Sequence, residues 1–539
     1  MTDVPLNAWS ALPGAEHCEF PHNDPSRIEI AGYTDQLAYD PGDTVRLFVH
    51  TTARHFDVTV LRDGPVQTTV WSATGVPGHR QTTPANAHAV GCGWQHAIAI
   101  PVDSAWTSGG YVIVLGASDG EGVFEREAFF VLRPSPGHRS GRIALIVTSA
   151  TATAYNDWGG ANAYRSIVDG QSTDIPAFLL SLQRPWGRGF IRLPPGAPRH
   201  GDAPDLAPHA APRYPTIEWA LANGYSRHCG DAGWAQYDRP FACWAEAAGY
   251  RLDYFTQHDL HFNPDCLDGY SCAAIAGHDE YWSWEMRDTM EAFIRRGGGA
   301  ARFGANYIWQ IRLEHEGQTQ VCYKNPALDP LLPTSPSRTT TNWDSSIVNR
   351  PAATTFGLTG FGGIYIRTGA AAPRASGGYT VYRPDHWAFA GTDLYYADVF
   401  GAAPARILAY EVDGVDYTMR HGLPYATHVD GAPDSLEILA MAPAARAERN
   451  RHGGAINAPL TDMQHGMAAA PPFYEVPYDA IERGAAMMVT MTSGLGEVFN
   501  AGCCNWVSGL IYHDPAVVQI TRNVLDRYLT TRTASPDSP

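Results

Sequence analysis

The sequence predicts a multidomain protein with an N-terminal immunoglobulin-like β-sandwich and a C-terminal α/β domain that contains a mostly parallel sheet. Residues 28–132 contain short alternating or apolar runs separated by turn-forming Pro, Gly and Asp, as in a sandwich. A continuous apolar run at Ile143–Val147 then begins a region in which apolar runs alternate with helical patterns. The 539 residues also exceed one ordinary core. We expect an arm, the sandwich, the α/β domain and a disordered tail, over residues 1–24, 25–135, 140–533 and 534–539.

The N-terminal region contains six segments with the alternation or apolar character of β-strands. Turn signals such as Pro41–Asp43 and Ser118–Gly120 separate them. No pattern in this region is typical of catalysis. The predicted strands are Ile28–Tyr33, Thr44–His50, Phe56–Leu61, Ala97–Ile100, Tyr111–Leu115 and Phe124–Leu132.

The second region has a strand–helix–strand order. A helical pattern at Phe241–Ala248 leads to the apolar run Tyr250–Phe255, and a further apolar run at Ala273–Ala276 precedes a helix that ends near Arg296. This order predicts a doubly wound parallel sheet. The Pro/Gly/Ala-rich stretch 184–235 is predicted to be a long surface excursion.

Composition limits the classes of partner and compartment. The formal net charge of −17 disfavours a nucleic-acid or anionic-membrane partner. The sequence shows no basic-plus-apolar leader and no apolar run long enough to span a membrane, so we expect a cytoplasmic protein. The nine cysteines are scattered without a CxxC pair, which indicates neither a zinc ribbon nor a disulfide framework. Lys324 is the single lysine.

Polar clusters follow four of the apolar runs, where a parallel sheet would present them at one edge. A carboxylate, an imidazole, a phenol and an amide at one edge would form a polar pocket with aromatic walls. Each cluster alone also has a structural interpretation, because Glu280 can cap a helix, Asn306 can form an Asx-turn and Glu411 can be a solvated strand residue. The clusters are Thr151–Gly160, His278–Glu280, Asn306–Trp309 and Tyr410–Gly414.

Other motifs carry less weight. The chain lacks a G-x-S-x-G elbow, a P-loop and a G-x-G-x-x-G turn after a strand, which disfavours serine-hydrolase, nucleotide and dinucleotide functions. His258 and His261 have the spacing of metal ligands, although ordering of a loop explains them as well. Cys503 and Cys504 are adjacent, and neighbouring cysteines rarely bond each other.

The longest motifs resemble the large subunit of N,N-dimethylformamidase and its relatives. The resemblance covers most of residues 140–530, and the region from Ile28 to Pro134 is also similar to the family's N-terminal domain. The motifs that carry it are Tyr155–Gly160 with Tyr164, Gly277–Ser283, Gly304–Asn306, His386–Thr392, Tyr410–Gly414 and Phe499–Gly502.

The resemblance implies a catalytic domain similar to class I glutamine amidotransferases and a mononuclear Fe³⁺ held by two tyrosinates and one glutamate. By motif, Tyr155 and Glu280 are two of these metal ligands. The second tyrosine should follow an Arg-Pro segment, but Trp186 follows Arg184-Pro185 here, so Tyr214 is assigned and Tyr164 is the alternative.

The remaining roles are also implied by the resemblance. His278, Asn306 and Glu411 would be catalytic, with either Glu411 or His278 as the general base. Trp158, Tyr281 and Trp309 would line the substrate pocket. The family is oligomeric, so a homo-oligomer is expected, while dependence on a small accessory subunit stays open.

The expected function is hydrolysis of a small or N-substituted amide, such as a formamide, to an amine and a carboxylic acid. Phenolate and carboxylate oxygens suit Fe³⁺ better than zinc or copper. Two alternatives belong to other classes. One is a metal-free cysteine hydrolase that uses His278 and Glu280 as base and orienting group, and the other is a binding module in which the sandwich is the functional part.

Overall fold

The computed structural model describes residues 17–118, 122–137, 139–168, 171–173, 175–202, 214–365, 377–445, 470–474 and 483–530. Most of the expected N-terminal arm (residues 1–16) and the whole expected tail (534–539) lie outside these ranges.

The N-terminal region folds into two β-sheets around a shared apolar core. One sheet has the strand order β1-β3-β6, and the other has the order β2-β8-β7-β4-β5. Alternation explains the core, because Val45, Leu47 and Val49 on one strand all point inward. The immunoglobulin-like topology stays a prediction. The strands are β1 (Ile30–Thr34), β2 (Ala38–Tyr39), β3 (Thr44–Thr51), β4 (His55–Asp63), β5 (Thr68–Pro77), β6 (His96–Pro101), β7 (Gly109–Ser118) and β8 (Val123–Leu132).

The rest of the chain adds one large sheet and several small ones. The strands are β9 (Ile143–Val147), β10 (Ser166–Val168), β11 (Gln171–Thr173), β12 (Leu179–Ser181), β13 (Leu252–Thr256), β14 (Cys272–His278), β15 (Tyr281–Ser283), β16 (Gly299–Ala305), β17 (Trp309–Glu314), β18 (Thr319–Val321), β19 (Thr359–Tyr365), β20 (Tyr379–Val381), β21 (Val399–Phe400), β22 (Glu411–Gly414), β23 (Tyr417–Arg420), β24 (Leu423–Ala426), β25 (Glu437–Ala445), β26 (Arg483–Ser493) and β27 (Gly496–Asn500).

The helices lie mostly in the second region. They are α1 (Ala87–Val90), α2 (Ser149–Tyr155), α3 (Pro215–Asn223), α4 (Asp238–Ala247), α5 (Gln257–Phe262), α6 (Trp284–Arg295), α7 (Ala353–Phe356), α8 (Trp506–Ile511) and α9 (Pro515–Thr530). α6 begins at Ser283, whose side chain accepts from the backbone N–H of Met286. Within the described part of the chain, no helix is both long enough and apolar enough to cross a membrane.

The prediction of a mostly parallel, class I glutamine-amidotransferase-like α/β domain is wrong. Strand residues outnumber helical ones, 34% against 20%, and the sheets are mixed or antiparallel. In the large sheet, β13, β9, β14, β16 and β27 pair in parallel. Beyond β27 the same sheet continues through β26, β25, β19 and β22 in antiparallel pairs.

The cause of this error is physical. A continuous apolar run indicates that both faces of a strand are covered, but it does not encode the direction of the neighbouring strand. The run Ala485–Val489 in β26 is as buried as the run in β9, yet β26 pairs antiparallel with both neighbours. The strand–helix–strand order therefore held only for part of the domain.

The predicted surface excursion over residues 184–235 is also wrong for its described part. Phe190, Ala232 and Trp234 are buried. Trp234 donates its indole N–H to Asp63 of β4 at 2.7 Å. Arg239 donates to the same carboxylate at 2.8 Å. This segment is therefore packed between the sandwich and the large sheet, where a Pro/Gly/Ala composition alone indicated a loop.

His258 should make the protein sensitive to acid. Burial lowers the pKa of its ring from 6.5 to about 3, and the charge of His261 acts in the same direction. The unfolded chain then binds the proton more tightly, so the stability from the neutral ring is complete above pH 6.5 and is lost as pH falls toward 3. The loss amounts to about 2 kcal/mol at pH 5.

The test is denaturant unfolding at pH 7.5 and pH 5. In His258→Gln, the fall in unfolding free energy between the two pH values should be smaller than in the wild type by about 2 kcal/mol. His513→Gln, which changes an exposed histidine, should behave as the wild type does. The same fall in all three proteins would contradict the assignment.

Candidate active site

The candidate site lies where parallel strands of the large sheet end. α2 follows β9 and ends at Tyr155. β14 ends at His278, with Glu280 two residues later, and Asn306 follows β16. Glu411 begins β22 on the antiparallel side of the sheet. The site therefore draws on both halves of the mixed sheet.

Backbone geometry makes room for these side chains. Gly277 has φ +88°, and a Cβ there would lie 2.1 Å from the Cβ of Tyr237. Only glycine tolerates both conditions. Asn306 has φ +68°, a left-handed conformation that asparagine adopts more readily than most residues. The turn residues in these motifs are therefore required by close packing at the strand ends.

Glu280 is the centre of the site and is fully enclosed. The Tyr164 hydroxyl lies 2.7 Å from each carboxylate oxygen. The Trp309 indole N–H donates to Oε1 at 2.7 Å, and His278 Nε2 lies 3.3 Å from Oε2. Burial acts to raise the pKa of Glu280, but hydrogen bonding to His278 and the charges of His278 and Lys324 outweigh it and lower that pKa. Glu280 is therefore held as a carboxylate.

Two phenols face this carboxylate. The rings of Tyr155 and Tyr164 have centroids 4.7 Å apart. Tyr281 donates its hydroxyl to that of Tyr164 at 2.9 Å. Burial, and then the charge of Glu280, raise the pKa of Tyr155 and of Tyr164 well above the usual value. Neither phenol loses its proton in this environment unless a cation stabilises the phenolate.

A second carboxylate lies on the other side of His278. His278 donates from Nδ1 to the backbone carbonyl of Asp231 at 2.8 Å, and its Nε2 lies 2.6 Å from Glu411 Oε2. Tyr365 donates to Glu411 Oε1 at 2.7 Å. Burial lowers the pKa of His278, but the charge of Glu411 and bonds to both glutamates raise it overall. Burial raises the pKa of Glu411 despite the opposing charge of His278.

Two buried atoms here lack a hydrogen-bond partner among the described residues. They are Asn306 Oδ1 and Glu411 Oε2, and the second of these makes only an ionic contact with His278 Nε2 at 2.6 Å. The Asn306 amide nitrogen lies 3.2 Å from His278 Nε2. Buried polar groups are almost always satisfied, so unpaired acceptors in a polar pocket are typical of a site that awaits a ligand.

Lys324 belongs to the site, although the sequence analysis gave it no role. Its Nζ lies 3.5 Å from the centroid of the Tyr164 ring and 5.1 Å from that of Trp309. The nitrogen is buried and has no hydrogen-bond partner among the residues that the structure describes. The signal in the sequence was that this is the single lysine of an arginine-rich chain.

Two of the expected site residues lie elsewhere. Trp158 packs against Trp94 and Phe20, in a cluster beneath the sandwich. Tyr214 precedes α3, where its ring packs with Ile217 and Leu221. Tyr281 and Trp309 do lie in the pocket, next to Tyr164 and Glu280.

A buried ionic network connects the strand ends that carry the site residues. Arg302 of β16 bonds Asp279 at 2.5 Å and Asp413 at 2.7 Å, and all three side chains are fully buried. Asp413 also accepts from the backbone N–H of Asn306 at 2.7 Å. The network therefore links the turn after β14, the turn after β16 and strand β22, which carry His278, Asn306 and Glu411.

Cys504 also borders the site. It lies between β27 and α8, and one ligand atom each from Cys504, His278 and Glu411 lie within 4.8 Å of one another. Its thiol contacts the carbonyl of Ala305 at 3.5 Å. Burial, followed by the charge of Glu411, raises the pKa of this thiol well above its usual value.

Enclosed carboxylates, phenols, an imidazole and an amine define the polar site of an enzyme better than a surface for binding. Comparison with known families agrees. The chain belongs to the N,N-dimethylformamidase beta subunit-like family, whose C-terminal profile matches residues 57–517. No curated protein sequence matches the chain.

Arg302→Met should strongly destabilise the protein. It leaves Asp279 and Asp413 buried without their cation, which costs roughly 3–5 kcal/mol. Arg296→Met is the matched control, because Arg296 pairs with Asp268 at the surface and should contribute at most about 1 kcal/mol. Denaturant unfolding of both variants measures the difference. Equal small losses would show that the network does not hold the strand ends.

Proposed function

We propose that the protein hydrolyses a small or N-substituted amide, such as a formamide, at a mononuclear Fe³⁺ held by Tyr155, Tyr164 and Glu280. Membership of the dimethylformamidase-like family supports amide hydrolysis. The observation that carries the metal proposal is the convergence of two phenols on one buried carboxylate, with the Tyr164 hydroxyl 2.7 Å from both oxygens of Glu280.

The donor set fits a trivalent cation. All three donors are hard oxygens, which favour Fe³⁺ over the softer divalent metals that prefer nitrogen or sulfur. Burial keeps both phenols protonated in the absence of a strong positive charge. Tyr164 replaces Tyr214 as the second tyrosine in this proposal, because Tyr164 contacts Glu280 whereas Tyr214 packs with Ile217 and Leu221. When bound, the ion would supply Lewis-acid polarisation of the amide carbonyl.

Glu411 is the general base in this proposal. Among the described residues its Oε2 contacts only the His278 ring, at 2.6 Å, and burial raises its pKa, so it can take a proton from the attacking water. When the C–N bond breaks, Glu411 returns that proton to the departing amine. One water is consumed, and the products are a carboxylic acid and an amine.

His278 is less suited to be the base. Its Nδ1 donates to a backbone carbonyl, and its Nε2 lies between two carboxylates whose charges keep the ring protonated. The resulting imidazolium holds Glu411 and Glu280 in position. A protonated Nε2 would also favour turning the Asn306 amide, so that Oδ1 accepts from His278 and the NH₂ group can donate to the developing oxyanion.

Lys324 and the aromatic walls complete the proposed pocket. The buried amine of Lys324 lowers the pKa of Glu280 and favours negative charge on the Tyr164 phenol beneath it. Tyr281 and Trp309 form the walls. Since these groups are buried, the pocket favours a small amide.

A metal-free cysteine hydrolase is the second candidate, because Cys504 lies within reach of His278 and Glu411. It is disfavoured by the raised pKa of the thiol, since the thiolate is the nucleophile. Cys504→Ser separates the two functions. The cysteine hydrolase would lose its turnover in this variant, whereas the iron enzyme would keep both turnover and metal.

The metal ligands are tested by metal analysis and visible absorption of purified variants. Tyr155→Phe, Tyr164→Phe and Glu280→Gln should each lose most of the iron and the tyrosinate-to-iron colour. Tyr214→Phe is the matched control and should retain both. Loss of iron in Tyr214→Phe with retention in Tyr164→Phe would reverse the choice of the second tyrosine. A colourless, iron-free wild type that hydrolyses amides would overturn the metal proposal.

Glu411→Gln should keep its iron and lose turnover by about 10²–10⁴-fold, the usual contribution of a general base. The assay is amine release from a panel of formamides, acetamides and anilides, which also identifies the substrate class. Glu246→Gln is the control, since Glu246 is a partly buried glutamate that pairs with Arg62 at the base of the sandwich. Unchanged turnover in Glu411→Gln would remove Glu411 from the mechanism.

A further inference from the structure

Asp231 lies outside the residues with a proposed chemical role, yet it bonds to three histidines around the site. Its backbone carbonyl accepts from His278 Nδ1 at 2.8 Å. Its carboxylate oxygens lie 3.1 Å from His200 Nε2 and 3.2 Å from His228 Nδ1. All four residues are buried.

We propose that Asp231 is the positioning residue of the site, which holds His200, His228 and His278 so that their rings fix the phenols and Glu411. This inference rests on the proposed function for its effect on turnover, but its geometry does not depend on any metal. Asp231, His200 and His228 all lie in residues 184–235, which the sequence predicted to be only a surface excursion.

Through His228, Asp231 acts on the two phenols. The His228 ring lies edge-on to Tyr155, with centroids 5.6 Å apart, and 5.8 Å from the ring of Tyr164. Arg227 Nε lies 3.3 Å from His228 Nε2, which must accept from it. His228 therefore donates from Nδ1 to Asp231, and its tautomer is set from both sides.

Through His200, Asp231 acts on the residue next to Glu411. The His200 ring stacks on Tyr410 with centroids 4.0 Å apart and planes within 8°. Tyr410 in turn lies edge-on to His278 at 5.6 Å. The carboxylate of Asp231 thus fixes one side of the strand that presents Glu411, while its carbonyl fixes the orientation of the His278 ring.

An amide at this position gives a sharp test. In Asp231→Asn the backbone carbonyl is retained, and the side chain offers one acceptor and one donor in place of two acceptors. Because His228 must still donate from Nδ1, the amide oxygen should face His228 and the NH₂ group should face His200. The tautomer of His200 should therefore switch from Nε2–H to Nδ1–H, while the tautomer of His228 and the protonated state of His278 stay unchanged.

The first measurement uses the metal-free protein. Nitrogen-15 spectra of histidine-labelled wild type and Asp231→Asn report the ring tautomers, with His200→Phe and His228→Gln to assign the signals. A switch confined to His200 supports the proposal. An unchanged tautomer at His200, or a switch at His228, would overturn the geometry whether or not the protein binds iron.

The second measurement uses the iron-loaded protein. Partners of this kind typically change metal affinity or turnover by about 10- to 100-fold. We expect kcat to fall by about 10-fold in Asp231→Asn and by about 100-fold in Asp231→Ala, with little change in KM. The tyrosinate-to-iron absorption should shift in both variants. His200→Phe keeps the stacking on Tyr410 and should give a loss no larger than Asp231→Ala.

The matched control is Asp63→Asn, another buried carboxylate that accepts from several side-chain donors, namely Gln67, Trp234 and Arg239. It should lower the thermal midpoint without shifting the colour or kcat. If Asp231→Asn, like Asp63→Asn, lowers the thermal midpoint but leaves the colour and kcat of the wild type unchanged, Asp231 has only a structural role and the proposal fails. If the purified wild type contains no iron, the proposed function is contradicted. The His200 tautomer then still decides whether Asp231 positions the histidines.

Discussion

Burial of the Glu280 carboxylate is the constraint on which the arrangement of the site depends. Removing an isolated charge from water costs several kcal/mol even after relaxation, so the charge must be offset within the fold. Donors from Tyr164 and Trp309, the imidazole of His278 and the amine of Lys324 surround it. A metal cation between Glu280 and the phenols would complete this compensation, which is why the proposed function places iron there.

The need to offset buried charge also applies to the residues that surround Glu280. A charged His278 between two glutamates needs a fixed orientation, which the carbonyl of Asp231 provides. The turns that carry these residues need a rigid support, which Arg302 provides between Asp279 and Asp413. Each of these contacts buries further polar groups, and each of these groups must in turn be satisfied. The site is therefore inseparable from the packing of the sheet edge.

The mixed sheet has a direct consequence for chemistry. Parallel strands β9, β14 and β16 present the phenols, Glu280, His278 and Asn306 at one edge, as open α/β sheets do. Strand β22, which pairs antiparallel with β19 in the other half of the sheet, brings Glu411 to the same site. The departure from the expected fold class is thus also the means by which the two glutamates flank one imidazole.

Local patterns in the sequence predicted much of the fold and part of the site. The strands of the sandwich, the buried run at Ile143–Val147 and the helix after Ser283 follow from alternation, apolar content and capping. The position of His278 and Glu280 directly after a buried strand was also evident, because it depends only on neighbours along the chain.

Other features were decided only by the tertiary structure. One is the antiparallel pairing of β26 with β25 and of β22 with β19. Another is the contact of Glu280 with Tyr164 rather than with Tyr214. The position of the Lys324 amine over the Tyr164 ring and the contacts of three histidines with Asp231 also belong here. Each joins residues far apart in the chain, and such distances depend on how whole elements pack. Periodicity and spacing describe one segment at a time, so by themselves they do not determine which segments meet.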